Sequence, residues 1–206
     1  MSKEEGYIKF QCDWEEKSFF FPKEQFEYIN GWRQKLYDQE LIGAYDNGIG
    51  FGNLSIRIEN TCCFIISGSA TGNYKSLNKT HYAKVIDYSL KNNYVKCIGG
   101  TKGSSESLTH AAVYEVTPTV HAVIHTHNKR MWDQLINKEP TTAPEAEFGT
   151  PELAFEIKRL LREKQNMRKQ LIIMGGHEEG IITFGRDLEE AGNILINYQK
   201  RIENQK

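Results

Sequence analysis

The sequence predicts an α/β protein with an antiparallel sheet at its centre. Three observations carry this: an amphipathic helical stretch near the start, a middle section of short β-type runs broken by turn residues, and a second half in which capped helices alternate with strands.

From Lys23 to Gln39 the apolar residues Phe26, Ile29, Leu36 and Tyr37 recur at helical spacing, and Gly43 follows as a stop. The runs Asn53 to Ile58, Cys62 to Ser67, Lys84 to Tyr88 and Tyr94 to Ile98 read as antiparallel strands. Turn chemistry such as Glu59-Asn60 and Lys91-Asn92-Asn93 separates them. Cys62 and Cys63 are expected to be buried in their strand, as free cysteines readily are. Ser104 is the expected cap of a helix reaching about Val116, with Glu106 in its first turn. Pro118 then forces an extended chain into a strand from Val120 to Thr126. Thr150-Pro151 opens a further helix with Leu153, Ile157, Leu160 and Leu161 on one side. Two strands follow, Leu171 to Met174 and Ile181 to Phe184. Asp187 with Glu190 then makes a capping-box-like start for a last helix, striped by Leu188, Ala191, Leu195, Tyr198 and Ile202.

The chain has 206 residues, with 26 basic side chains against 27 acidic and a net charge of −1. That balance excludes a strongly basic protein that holds nucleic acid by charge alone. A length near 200 suits one domain spanning residues 1–206, able to bury about 70% of its unfolded surface. The first ten residues contain Glu4 and Glu5 and no apolar stretch, and the longest purely apolar run is Cys62 to Ile66. Neither a signal peptide nor a membrane span is expected. Four irregularly placed cysteines without a C-x-x-C pair suggest a reducing cytoplasm.

The histidines carry most of the chemical information. His121, His125 and His127 fall on one predicted strand, where alternation turns all three to the same face. Two imidazoles two residues apart can converge on one small cation, although such a pattern also suits a polar sheet face. His177 lies between two predicted strands in Met174-Gly175-Gly176-His177-Glu178-Glu179-Gly180, a glycine-flanked turn where close backbone approach is feasible. Gly103-Ser104-Ser105-Glu106 offers two hydroxyls and first-turn N–H groups to an anion, or serves simply as a helix cap. The preceding Gly99-Gly100-Thr101-Lys102-Gly103 lacks the spacing of a nucleotide-binding P-loop. Two further glycine and hydroxyl turns occur at residues 50–55 and 67–72.

Taken in order, GNLS at 52–55, ATG at 70–72, SSE at 104–106, HTH at 125–127, FGTPEL at 148–153 and HEEG at 177–180 resemble the class II aldolase/adducin family. The resemblance spans about residues 26–200. It implies a three-layer α/β/α sandwich with a mainly antiparallel central sheet, a homotetramer, and Zn²⁺ or another divalent metal bound near the subunit interface. His125, His127 and His177 resemble the family's metal ligands, and Glu106 the carboxylate that both visits the metal and moves protons. Gly52, Asn53, Thr71, Gly72, Ser104 and Ser105 resemble its phosphate-binding positions. One departure stands out: the family's third histidine normally precedes a glycine directly, whereas two residues intervene here, so that Glu179 becomes a rival ligand. The stretch from Asn128 to Phe148 is also short and holds no tyrosine to match the one that a neighbouring subunit contributes in the fuculose-phosphate enzymes.

The activity implied is that of a metal-dependent lyase cleaving a ketose 1-phosphate to dihydroxyacetone phosphate and an aldehyde through a metal-stabilised enediolate. The same apparatus serves 4-epimerisation and methylthioribulose-phosphate-type dehydration. A glutamate at 106, in place of the aspartate that resemblance to the epimerases would put there, weighs against epimerisation. A non-catalytic, adducin-like interaction module is the third reading, and the intact histidines and Glu106 weigh against it.

Overall fold

A computed structural model describes residues 7–59 and 61–204. In chain order the elements are β1 (Gln11–Glu16), α1 (Lys23–Asp38), β2 (Gly43–Ala44), β3 (Gly50–Phe51), β4 (Asn53–Arg57), β5 (Phe64–Ser67), β6 (Tyr82–Ser89), β7 (Tyr94–Gly99), α2 (Ser107–Val116), β8 (Ala122–His127), α3 (Lys129–Leu135), α4 (Pro151–Leu161), α5 (Lys164–Lys169), β9 (Leu171–Ile173), β10 (Gly180–Gly185) and α6 (Leu188–Glu203). Eight strands form one sheet in the order β1-β7-β6-β5-β4-β8-β10-β9, and β2 pairs with β3 as a separate hairpin. Every pairing in the large sheet is antiparallel except that of β1 with β7.

The sheet is apolar on both faces, so helices cover both. One core gathers Leu108, Ala112 and Leu153 of α2 and α4 against Ile66, Val123 and Ile182 of the sheet. The other packs Ile29 and Leu36 of α1 and Leu188 and Leu195 of α6 against Leu54, Ile124 and Ile181. This is the expected three-layer α/β/α sandwich with a mainly antiparallel sheet. Among the described residues no helix is long and apolar enough to cross a membrane.

Local chemistry explains most boundaries. Thr150 caps α4 by accepting from the Leu153 N–H, and Pro151 occupies the first turn, where no N–H is needed. The Asp187 carboxylate caps α6 by accepting from the Glu190 N–H at 2.7 Å. Three expectations need correction. Helix α2 starts at Ser107, not at Ser104, because Ser104 closes a turn ahead of it: its Oγ accepts from the Glu106 N–H and its carbonyl from the Ser107 N–H. Glu106 is therefore the cap position rather than a first-turn residue. Cys62 is exposed and Cys63 half-buried, since β5 begins only at Phe64. The reversal before it is tied by Thr61, whose hydroxyl donates to the Ile58 carbonyl and accepts from the Cys63 N–H. Finally, β8 starts at Ala122, which leaves His121 ahead of the strand and only His125 and His127 on it.

Candidate metal and anion site

Strand β8 lies between β4 and β10, where it is buried along its whole length. Alternation places His125 and His127 on the face covered by α2, and their Nε2 atoms approach to 3.1 Å. The ring tautomers follow from the outer nitrogens. His125 Nδ1 faces the Ile181 carbonyl at 3.3 Å and must donate to it. The Tyr45 hydroxyl donates its one proton to Glu179 Oε2 at 2.8 Å, so that its 2.7 Å contact with His127 Nδ1 is accepted from that nitrogen. Both Nε2 lone pairs therefore point into one small space.

His177 completes the cluster: one ligand atom from each of the three histidines lies within 4.8 Å of the others, and all three residues are buried. The Gly175 and Gly176 that flank it have a packing reason. A Cβ on Gly175 would fall 2.2 Å from the Thr142 carbonyl, and one on Gly176 2.3 Å from that of Ala146, so only glycine lets the turn lie against residues 142–146. Phe148 of the FGTPEL segment lies against His177 at 4.6 Å between ring centroids. Burial holds the His125 and His127 imidazoles well below the ordinary histidine pKa, and the neighbouring histidines lower them further. Both are kept neutral, the form that binds a metal.

The donor set fits a divalent cation. Two nitrogens bound tetrahedrally to zinc at about 2.05 Å stand about 3.3 Å apart. Two lone pairs at 3.1 Å repel unless a cation or a proton lies between them.

Glu106, 2% exposed, reaches the cluster from the start of α2. The Thr109 hydroxyl donates to its Oε2 at 2.5 Å, which turns Oε1 toward His177 Nδ1 at 3.8 Å. Glu179 sits elsewhere. It meets Tyr45 on the Nδ1 side of the His127 ring, 4.0 Å from that nitrogen and on the edge opposite the three-histidine cluster.

Beside the histidines, one pocket is lined by Gly52, Asn53, Thr71, Gly72, Ser104 and Ser105 together with Glu106 and His125. Three separate turns build it. Asn53 sits opposite His125 in the β4–β8 register, and its buried Oδ1 has no hydrogen-bond partner among the described residues. Gly72 lies so close to the β2–β3 hairpin that a Cβ would fall 2.2 Å from the Gly43 carbonyl. Gly52 turns with φ of 74°, the left-handed region that favours glycine. Beneath the second turn Arg33, 1% exposed, donates to the carbonyls of Thr71, Gly72 and Lys75. Its charge therefore lies directly under the pocket wall.

Several contributors escaped the sequence reading. Arg33 looked like an ordinary helical cation, and only its i,i+4 stacking on Tyr37, at 4.5 Å, hints at burial. Tyr45 precedes an Asp46-Asn47-Gly48 turn that announces a hairpin but not its target. Ser55, His110 and Tyr114 form a buried chain, with Ser55 Oγ 2.7 Å from both His110 Nδ1 and the Tyr114 hydroxyl, that ties β4 to α2 beneath the site.

Residues 44–132 match the family described as Class II Aldolase and Adducin N-terminal domain. Similar solved structures include YgbL from Klebsiella pneumoniae, described by the alternatives aldolase, epimerase and decarboxylase, at 18% identity, 90% coverage of both chains and a TM-score of 0.66. L-fuculose-1-phosphate aldolase from Thermus thermophilus superposes over 86% of this chain and 90% of its own, at 20% identity and a TM-score of 0.63. A sugar-phosphate aldolase from Thermotoga maritima gives 17% identity, 88% and 93% coverage and a TM-score of 0.65. The chain has the class II aldolase fold. Within that fold the first four of the six motifs contribute to one pocket, and the HEEG turn brings His177, with Phe148 of the FGTPEL segment against it, to the HTH histidines.

Proposed function

We propose that the protein is a metal-dependent aldolase that cleaves a ketose 1-phosphate to dihydroxyacetone phosphate and an aldehyde. The observation that carries this reading is the pair of Nε2 lone pairs 3.1 Å apart, with His177 and the Glu106 carboxylate beside them. His125, His127 and His177 would hold the metal, with zinc preferred and Mn²⁺, Fe²⁺ or Co²⁺ compatible with the same donors. When bound, the metal supplies Lewis-acid chemistry to the carbonyl and neighbouring hydroxyl of the ketose.

The remaining work falls to this chain's own groups. Ser104 and Ser105, the turn N–H groups around Gly52 and Gly72, and the charge of Arg33 behind them favour a phosphate dianion in the adjoining pocket. Holding the phosphate there brings the sugar's C3–C4 bond toward the histidines. Glu106, with one oxygen fixed by Thr109, is the group that exchanges the proton at C3 when that bond breaks or forms. Asn53 Oδ1, buried and lining the pocket, gains a partner when a sugar hydroxyl donates to it; leaving such an acceptor unmet costs about 1–3 kcal/mol. The reading takes the whole chain as one such domain, assembled as a homotetramer, which sedimentation tests directly.

The decisive experiment joins elemental analysis with a substrate screen. Purified protein is expected to carry one divalent metal per chain, to lose it in His177→Ala, and to release dihydroxyacetone phosphate from at least one ketose 1-phosphate. Wild-type levels of metal in His125→Ala or His177→Ala would overturn the ligand assignment. Epimerised or dehydrated product without dihydroxyacetone phosphate would transfer the same site to those reactions.

A further inference from the structure

The geometry points to Tyr45 and Glu179 as positioning residues that hold His127 as a metal ligand, joined in a hydrogen-bond chain from Glu179 through Tyr45 to His127. The inference rests on the metal reading above and concerns what stands behind the ligands. The Tyr45 hydroxyl has one proton, and it goes to Glu179 Oε2 at 2.8 Å. The Tyr45 hydroxyl oxygen must then accept the proton on His127 Nδ1 at 2.7 Å, which fixes the tautomer and leaves the Nε2 lone pair facing His125. A carboxylate behind an imidazole also raises its basicity as a ligand, here relayed through a phenol.

Both residues are held for this task. Tyr45 begins the reversal of the β2–β3 hairpin, where its N–H donates to the Ile49 carbonyl, and Phe51 lies against both Tyr45 (4.8 Å) and His127 (5.5 Å, nearly parallel). Glu179 takes φ of 69°, a left-handed conformation that is unfavourable for a non-glycine residue. Two contacts offset that cost: its carbonyl accepts from the N–H of Asn128, next in chain to His127, and its side chain accepts from Tyr45. The left-handed turn between His177 and Gly180 is what brings a carboxylate to this place. Its effect is a second layer behind His127 rather than a fourth ligand.

The test measures Zn²⁺ affinity by chelator competition on the full chain, with the visible spectrum of the Co²⁺-substituted protein and a melting curve for each variant. Tyr45→Phe removes one oxygen atom. It is expected to weaken Zn²⁺ binding about 10- to 100-fold and to change the Co²⁺ spectrum, as is Glu179→Ala. Glu179→Gln keeps an acceptor for the phenol and should lose less. The Tyr45→Phe/Glu179→Ala double variant should be little worse than either single one, since both cut the same chain. A merely structural role would lower the melting temperature and leave affinity and spectrum unchanged in Glu179→Gln and Tyr45→Phe. Wild-type affinity in Tyr45→Phe and Glu179→Ala overturns the inference while sparing the metal reading. Loss of all binding in Glu179→Ala with normal binding in Tyr45→Phe also overturns it, since Glu179 would then be a ligand. Wild-type protein that binds no Zn²⁺ removes both.

Discussion

The candidate site, histidine cluster and adjoining pocket together, has two ends made of different materials. At one end the donors are side chains, three imidazoles and a carboxylate, set by the alternation of one strand, one turn and one helix start. At the other end the lining comes from three turns separated by up to about fifty residues, closely packed at their glycines and backed by the buried Arg33, and on the proposed reading its donors are backbone N–H groups and hydroxyls. Side-chain donors depend on residue type and can be removed one at a time. Backbone donors depend on packing, so the residues that matter there are those that leave room.

That contrast predicts different failures at the two ends. The largest effect is expected at the side-chain end. Glu106→Gln should keep its fold and much of its metal and lose at least ~10² in turnover, the scale of positioned proton transfer. A folded, metal-loaded and fully active variant would reduce Glu106 to a helix cap. At the backbone end, Gly72→Ala places a methyl 2.2 Å from the Gly43 carbonyl. Chemical denaturation should show a loss of about 1–3 kcal/mol, and phosphate binding should weaken with it; unchanged stability would mean the hairpin yields freely.

A third prediction concerns the tie beneath both ends. Burial pushes His110 down to about 3, and its Nδ1 is 2.7 Å from Ser55 Oγ. The unfolded chain takes up a proton near the ordinary histidine pKa while the folded one refuses it. The stability from keeping His110 neutral is therefore fully present above pH 6.5 and is lost as the pH falls toward 3. His110→Gln should reduce the acid destabilisation between pH 7 and pH 5 by about 2 kcal/mol relative to the unaltered protein, read from denaturation at both pH values. An unchanged difference would show that His110 accepts its proton in the folded state. The smallest effect is expected from replacing Ser104 and Ser105 together by alanine. Losing two neutral hydrogen bonds of about 0.5–1 kcal/mol each should weaken inorganic phosphate roughly 5- to 30-fold, with metal content unchanged. Unaltered phosphate inhibition would move the anion site away from α2.

Local rules were enough to read several features from the residues alone. The 125 and 127 alternation, the glycine turn at 175–176, the Thr150-Pro151 and Asp187 helix starts and the antiparallel middle section all follow from dihedral preference, capping and strand periodicity. The misplaced start of α2 and the exposed Cys62 show where such rules stop: a serine that closes a turn and a serine that caps a helix look alike in sequence, and a threonine-tied reversal consumed two residues that looked like strand. The groups that act across the fold became visible only through its long-range contacts. Tyr45 meets His127 from 82 positions away and Glu179 from 134, Arg33 supports Thr71 across 38, and His110 reaches Ser55 across 55. None of these pairs has a local signature, because each exists only once distant elements meet: the Tyr45 contacts when the β2–β3 hairpin lies against the end of β8, the Arg33 contact when α1 packs behind the turn after β5, and the His110 contact when α2 covers β4.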